Sequence, residues 1–154
     1  MATPKKPGGP RSASRLAAAQ ALYQLSMSDE PNADLVTEQY VEHRLGQEIE
    51  GQTYVAADEA LFRDIVAGAF GRLEEWDPVI SDNLSAKWTL ERLDPLLHSI
   101  ARAGTYELAC RPDIPTAVII NEYVDVAHAF YDRSETAFVN SLLDKVAKGL
   151  RSGG

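Results

Sequence analysis

The chain has 154 residues, 45% of them hydrophobic, which is enough to bury one core, and a net charge of −8. No apolar run approaches the ~20 residues of a membrane helix, the start Met1-Ala-Thr-Pro-Lys-Lys6 lacks the apolar segment of a secretory signal, and the single cysteine, Cys110, excludes an internal disulfide, so a cytoplasmic protein is expected. Lys5, Lys6, Arg11 and Arg15 all precede the first acidic residue, Asp29, whereas residues 16–154 hold 11 basic and 23 acidic side chains, a balance of −12; a cationic front on an acidic body suits local contact with an anionic ligand.

Residues 1–10, with Pro4, Pro7, Gly8, Gly9 and Pro10, read as a flexible basic arm, and residues 11–150 as the folded domain. Ser12 or Ser14 is expected to cap a first helix running to Leu25, with Leu16, Ala19, Leu22, Tyr23 and Leu25 supplying apolar contacts. Arg11 and Arg15 lie one turn apart and share an edge. Pro31-Asn32 breaks this helix and caps a second, about Ala33 to Arg44, in which Leu35, Val36, Gln39 and Val41 are loosely periodic. Gly46 ends it, and residues 46–56 read as a loop. Asp58 opens a strongly apolar helix whose stripe runs Leu61, Phe62, Ile65, Val66, Ala69, Phe70, Leu73 and Trp76. Gly68 and Gly71 inside it each cost up to ~1 kcal/mol against alanine. Close helix crossing would offset that cost, and Gly104 offers a similar small surface. Asp77-Pro78 is expected to start a further helical piece, bending near Trp88 and Leu90.

Asp94-Pro95 is a well-marked helix start, a side-chain acceptor followed by a ring with preset φ, and Leu96, Leu97, Ile100, Ala101, Gly104 and Leu108 follow at helical spacing. Arg111-Pro-Asp-Ile-Pro115 ends that helix. The β-branched run Thr116–Ile120 could be a strand, but Ala117, Ile120, Asn121, Val124, Ala127, His128 and Tyr131 fit one helical face. Asp132 and Glu135 are cap candidates for a last helix with Phe138, Val139, Leu142, Leu143 and Val146 buried, and everything beyond Lys148 reads as a frayed terminus. The expectation is an all-α fold.

Reactive groups are scarce. There is no Gly-x-Ser-x-Gly elbow, phosphate loop or dinucleotide fingerprint, and His43, His98 and His128 lack ligand spacing with one another or with Cys110. No catalytic, metal or cofactor site is therefore expected. Asn121 and Asn140 sit in apolar helix patterns, where a buried amide needs partners, and the simplest reading is that they bond backbone in neighbouring loops. Tyr23 is either a stacking platform for a base or, as is commoner on an apolar helix face, a core residue with its hydroxyl at the rim.

Several spaced blocks, Ile100-Ala-Arg-Ala-Gly-Thr-Tyr-Glu-Leu108, Arg111-Pro-Asp-Ile-Pro115, Ile120-Asn-Glu122, Phe138-Val-Asn140 and Leu143-Asp-Lys145, resemble the C-terminal signature of the NusB family of bacterial transcription antitermination factors. Phe62-Arg-Asp64 with Ala67-Gly68, and Arg15 with Gln20-Ala-Leu-Tyr23, extend the resemblance to nearly the whole chain. The chain departs from the family at Ser141, where glycine is usual, and at Arg11-Ser-Ala-Ser-Arg15, where several arginines are usual. The resemblance implies about seven helices in two three-helix sub-bundles, here about 11–84 and 85–150. It also implies binding of boxA RNA, a single-stranded element, and pairing with the ribosomal protein acting as NusE. Action on the RNA polymerase elongation complex with other Nus factors, chiefly on ribosomal RNA operons, completes the implied role. The expected RNA-binding residues are Lys5, Lys6, Arg11, Ser12, Arg15, Gln20 and Tyr23, and those facing a partner are Arg102, Arg111 and Glu122. Exposed apolar residues leave room for a homodimer that would hide the RNA surface. One alternative is the similar domain attached to ribosomal RNA cytosine methyltransferases, of which this chain, lacking a cofactor-binding domain, would be a fragment. Another is a helical scaffold with no RNA role.

Overall fold

A computed structural model describes residues 9–43, 48–49, 52–53, 58–85 and 87–151. The fold is all-α, with seven helices among the described residues: α1 (Pro10–Ser26), α2 (Ala33–His43), α3 (Glu59–Phe70), α4 (Leu73–Asp82), α5 (Pro95–Cys110), α6 (Thr116–His128) and α7 (Arg133–Leu150). A 3₁₀ turn at Leu90–Arg92 precedes α5. Within the expected loop, β1 (Glu48–Ile49) and β2 (Gln52–Thr53) form a minimal antiparallel ladder, Glu48 opposite Thr53 and Ile49 opposite Gln52.

Helix α5 is the axis of the molecule. Ten of its 16 residues are buried, and it packs against α1, α3, α4, α6 and α7. Helices α1, α2 and α3 contact one another, as do α5, α6 and α7, while α1 lies across both groups by touching α5 and α6. Its alanine-rich inner face, Ala17, Ala18, Ala21 and Leu22, permits that close approach.

Local signals set several helix starts. Asn32 Oδ1 accepts from the Leu35 amide at 3.0 Å, Asp58 Oδ1 from Leu61 at 3.0 Å, and Asp94 Oδ1 from Leu96 at 3.0 Å. The start of α1 differs from expectation. Pro10 is its first residue, Gly9 is the cap position without a side-chain bond, and Ser14 instead donates to Pro10 O and to Asp58 O, tying α1 to the start of α3. The expected arm falls mostly on residues 1–8, outside the described residues.

Four other expectations are corrected by packing. The stripe after Asp58 is two helices, because α3 stops at Gly71, and α4 begins at Leu73 and carries Pro78 in its interior. In α2 the buried residues are Val36 and Tyr40, the latter stacked on Phe62 at 5.7 Å, and Leu35 is exposed. The buried face of α6 is Ile119, Ile120, Tyr123, Val126 and Ala127, one position out of phase with the expected stripe, so Ala117, Asn121 and His128 face solvent. Asn140 is exposed too, and neither asparagine is a buried amide.

Gly68 makes room for an aromatic ring. A methyl group there would stand 2.0 Å from Tyr106 Cε1, and Trp76, edge-on to Tyr106 at 6.0 Å, donates from Nε1 to Gly68 O at 3.0 Å. A methyl group at Gly104 would meet Leu143 at 2.8 Å. At Gly71, the C-cap of α3, a methyl group would stand 2.7 Å from Ala67 O.

Through Arg151 the end of α7 is held and not frayed; residues 152–154, the rest of the expected frayed terminus, lie outside the described residues. Arg151 Nε donates to Leu108 O at 2.9 Å, Nη1 to Ile114 O and Thr116 Oγ1 at 2.8 and 3.1 Å, and Nη2 to Glu107 O and Arg111 O at 3.3 and 2.7 Å. One cation thus gathers four carbonyls where α5 ends and the following turn begins, of which Glu107 O and Arg111 O also accept backbone amides.

Candidate nucleic-acid interface

Of the residues expected to meet RNA, the described ones separate into two faces of α1. On the inner face, Arg15 is 1% exposed. Its Nε and Nη2 donate to Glu107 Oε2 and Oε1 at 2.8 Å each, and the Tyr123 hydroxyl donates to the same carboxylate. Arg15 Nη1 lies 3.9 Å from Glu122 Oε1, and Ser12 Oγ donates to Glu122 Oε2 at 2.7 Å. Burial alone would lower the Arg15 pKa, but Glu107 outweighs it and the guanidinium is held charged. Burial, reinforced by Glu107, pushes the Tyr123 phenol well above its ordinary range, so it stays a donor. The expectation that Arg15 contacts phosphate is corrected here: it is consumed by the core, and Ser12 is half-buried beside it.

Arg11, Gln20 and Tyr23 lie outside that core. Arg11 is exposed on the first turn, near enough to Asp113 to add a small downward pull on that carboxyl, whose low pKa comes first from Arg111. Gln20 and Tyr23, with Gln24 and Met27, follow the i, i+3, i+4, i+7 spacing of one helix face. They line an open groove of about 700 Å³, closed by Tyr40 of α2, Leu96 of α5 and Phe130 just after α6. Tyr23 is 38%, Phe130 39% and Met27 59% exposed. Tyr23 is thus a groove residue, against the core reading favoured from the sequence. Two exposed rings flanked by two amide side chains form a surface on which flat, hydrogen-bonding molecules can stack.

Phe130, Met27 and Gln24 escaped the sequence reading. The helical face Gln20, Tyr23, Gln24, Met27 was available as a signal, because it is the side of α1 left over once the alanines are turned inward. Phe130 had none, being placed by the turn between α6 and α7. Lys5 and Lys6 lie outside the described residues.

The three residues expected to face a partner are all bonded within the chain. Arg102 grips Asp77 with Nε and Nη2 at 2.9 and 2.7 Å, and His98 Nε2 lies 2.9 Å from the same carboxylate. Burial would raise the Asp77 pKa, but Arg102 and His98 outweigh it and hold the carboxyl well below the usual range. Arg111 bridges Asp64 and Asp113 at 3.0 Å each, and Asp64 also accepts from Tyr106 at 2.6 Å. Glu122 is bonded to Ser12, as above. Among the described residues no group of three or more His, Cys, Asp or Glu side chains is placed to hold a metal ion, and no helix is long and apolar enough to cross a membrane.

The model of the NusB family matches residues 12–148 of this chain. Transcription antitermination protein NusB of Rhizobium rhizogenes is 47% identical over 148 residues, covering 96% of this chain and 92% of its own length. The protein of that name from Sphingopyxis alaskensis is 49% identical over 141 residues, covering 92% and 94%. Among solved structures, T. maritima NusB is similar with a TM-score of 0.73 and 31% identity over 90% of this chain and 91% of that one. A chain in the crystal structure of antitermination factors NusB and NusE in complex with dsRNA has the same fold, with a TM-score of 0.72 and 21% identity over 90% and 96%.

Proposed function

This chain belongs to the NusB family, and on that premise we propose that it is a non-catalytic, cytoplasmic RNA-binding adaptor. It binds boxA-type single-stranded RNA along the outer face of α1 and pairs with the ribosomal protein acting as NusE. With the other Nus factors it joins the elongating RNA polymerase and suppresses termination, chiefly on ribosomal RNA operons. The observation that carries the RNA reading is the groove, which the exposed rings of Tyr23 and Phe130 line together with Gln20 and Gln24. Bases stack on the rings, the amides read base edges, and Arg11 with Lys5 and Lys6 positions phosphates. The acidic body suits a basic ribosomal protein, with the part-exposed Arg111 and Glu122 as contact candidates, while Arg102 holds α5 to α4. The methyltransferase alternative is not favoured, since relatives matched over 92% and 94% of their length are named as antitermination proteins.

Fluorescence anisotropy with a labelled boxA-type RNA, across a salt series and with or without the ribosomal partner, tests this. Tyr23→Ala and Phe130→Ala should each weaken binding by about 5- to 150-fold, the range for loss of one base stack. Arg11→Ala should flatten the salt slope by up to ~0.7, one single-strand phosphate contact. Unchanged affinity in both ring variants together with an unchanged slope would reject the reading.

A further inference from the structure

The buried cluster and the groove share three helices, and Tyr40 brings a fourth, α2, to the groove alone. Arg15, Glu107 and Tyr123 come from α1, α5 and α6; Tyr23, Leu96 and Phe130, which line the groove, come from α1, α5 and the end of α6. At about 1.5 Å per residue the groove lies beyond the cluster along each helix: about 12 Å from Arg15 to Tyr23, about 16 Å from Glu107 back to Leu96 and about 8 Å from Tyr123 to the end of α6 at His128, two residues before Phe130. The cluster therefore occupies one level of a three-helix stack and the groove another. A tilt of about 5° of α1 at the cluster moves Tyr23 by about 1 Å over that length.

An apolar plug could fill the same space, since burying a charged pair gives no sure gain in stability over packed hydrophobic groups. What the charged cluster adds is direction. The planar guanidinium meets the Glu107 carboxylate through two parallel bonds, the Tyr123 hydroxyl fixes the rotation of that carboxylate from the α6 side, and Ser12 and Glu122 close the edge between α1 and α6. Apolar contacts would tolerate sliding that these bonds forbid.

We propose that the Arg15–Glu107–Tyr123 cluster is a positioning device: it fixes the distance between the two aromatic walls of the groove and so sets the affinity for RNA without touching it. The affinity part rests on the RNA-binding reading above; the positioning part does not.

The test replaces the cluster as a unit with Arg15→Met, Glu107→Met and Tyr123→Phe, so that no charge is stranded. Spin labels at Ser26→Cys and Ala129→Cys, on a Cys110→Ser background, report the distance across the groove by double electron–electron resonance. Labelled boxA-type RNA reports affinity. The expected result is a folded variant whose melting temperature stays close to that of the parent, whose distance distribution shifts or broadens by at least about 1 Å, and whose RNA affinity falls about tenfold or more. An unchanged distance distribution in the folded variant overturns the proposal, as does a changed distribution with unchanged affinity. Should the triple variant not fold, Tyr123→Phe alone removes only the hydroxyl and must move both readouts the same way; no movement in either overturns the proposal. A shifted distribution in a protein whose parent binds no RNA leaves the positioning role standing and rejects the RNA reading.

Discussion

Breaking a buried ion pair by removing one partner strands the other charge in the core, and Arg15–Glu107 shows how much depends on that at the scale of single residues. With Arg15 1% and Glu107 0% exposed, Arg15→Met should cost about 3–5 kcal/mol in urea unfolding, whereas Arg15→Met with Glu107→Met should recover most of it. A loss in the double variant equal to the sum of the losses in Arg15→Met and Glu107→Met would mean the two side chains act independently. Gly68 makes the complementary point about space. Only the absence of a side chain lets the Tyr106 ring lie against α3 and reach Asp64, so the intrinsic helix cost of glycine is offset by an aromatic contact and a hydrogen bond. The sequence announced Gly68 as an anomaly inside an apolar helix. It could not say which ring filled the gap, because Tyr106 is 38 positions away.

At the scale of elements, two polar clasps hold helix ends and faces together. Arg151 reaches five acceptors around the end of α5 and the turn that follows, so Arg151→Ala should lower stability by about 2–3 kcal/mol and loosen amide-exchange protection first in residues 107–116. Lys148→Ala, which removes only the exposed pair with Asp144, should change stability by less than about 0.5 kcal/mol. The second clasp joins α4 to α5 through Asp77, whose pKa is held down by Arg102 and His98 against the opposing effect of burial. A depressed carboxyl stabilises the fold fully above its unfolded pKa of about 3.9 and loses that contribution as pH falls toward its lowered folded value. Asp77→Asn should therefore cost about 1–2 kcal/mol at neutral pH. The difference from the parent should shrink as pH drops below about 4 and remain incomplete at about pH 2. A constant difference from pH 7 to pH 2 in urea titrations would contradict the assigned pairing. Helix starts were legible because a cap is a bond over two or three residues, as at Asn32, Asp58 and Asp94. The C-terminal clasp was not, because its acceptors lie 35 to 44 residues back in the chain.

For the molecule as a whole, the polarised charge distribution is expected to govern the proposed associations with RNA and with a basic protein. The body carries its acidic excess while Arg15, one of the four front cations, is neutralised in the core by Glu107. Fewer cations remain at the front for the proposed phosphate contacts, so RNA binding should be only moderately salt dependent. Pairing with a basic ribosomal protein should lean on the acidic body instead. Its association rate, measured by stopped flow, should fall about tenfold or more between roughly 50 and 500 mM salt, while its dissociation rate changes far less. A salt-independent association rate would argue that apolar contact dominates that interface.

The sequence by itself determined that the chain is helical, where most helices begin, that its charge is polarised and which family it resembles, because propensity, capping and spaced motifs act over a few residues. Tertiary structure alone decided which cation is exposed, which face of α6 is buried and how the groove closes. Arg11 and Arg15 look alike in the chain, and one turn of α1 separates solvent from core. The reason is distance: the partner that buries Arg15 is 92 positions away, and the ring that completes the groove with Tyr23 sits in a turn placed by the packing of α6 and α7.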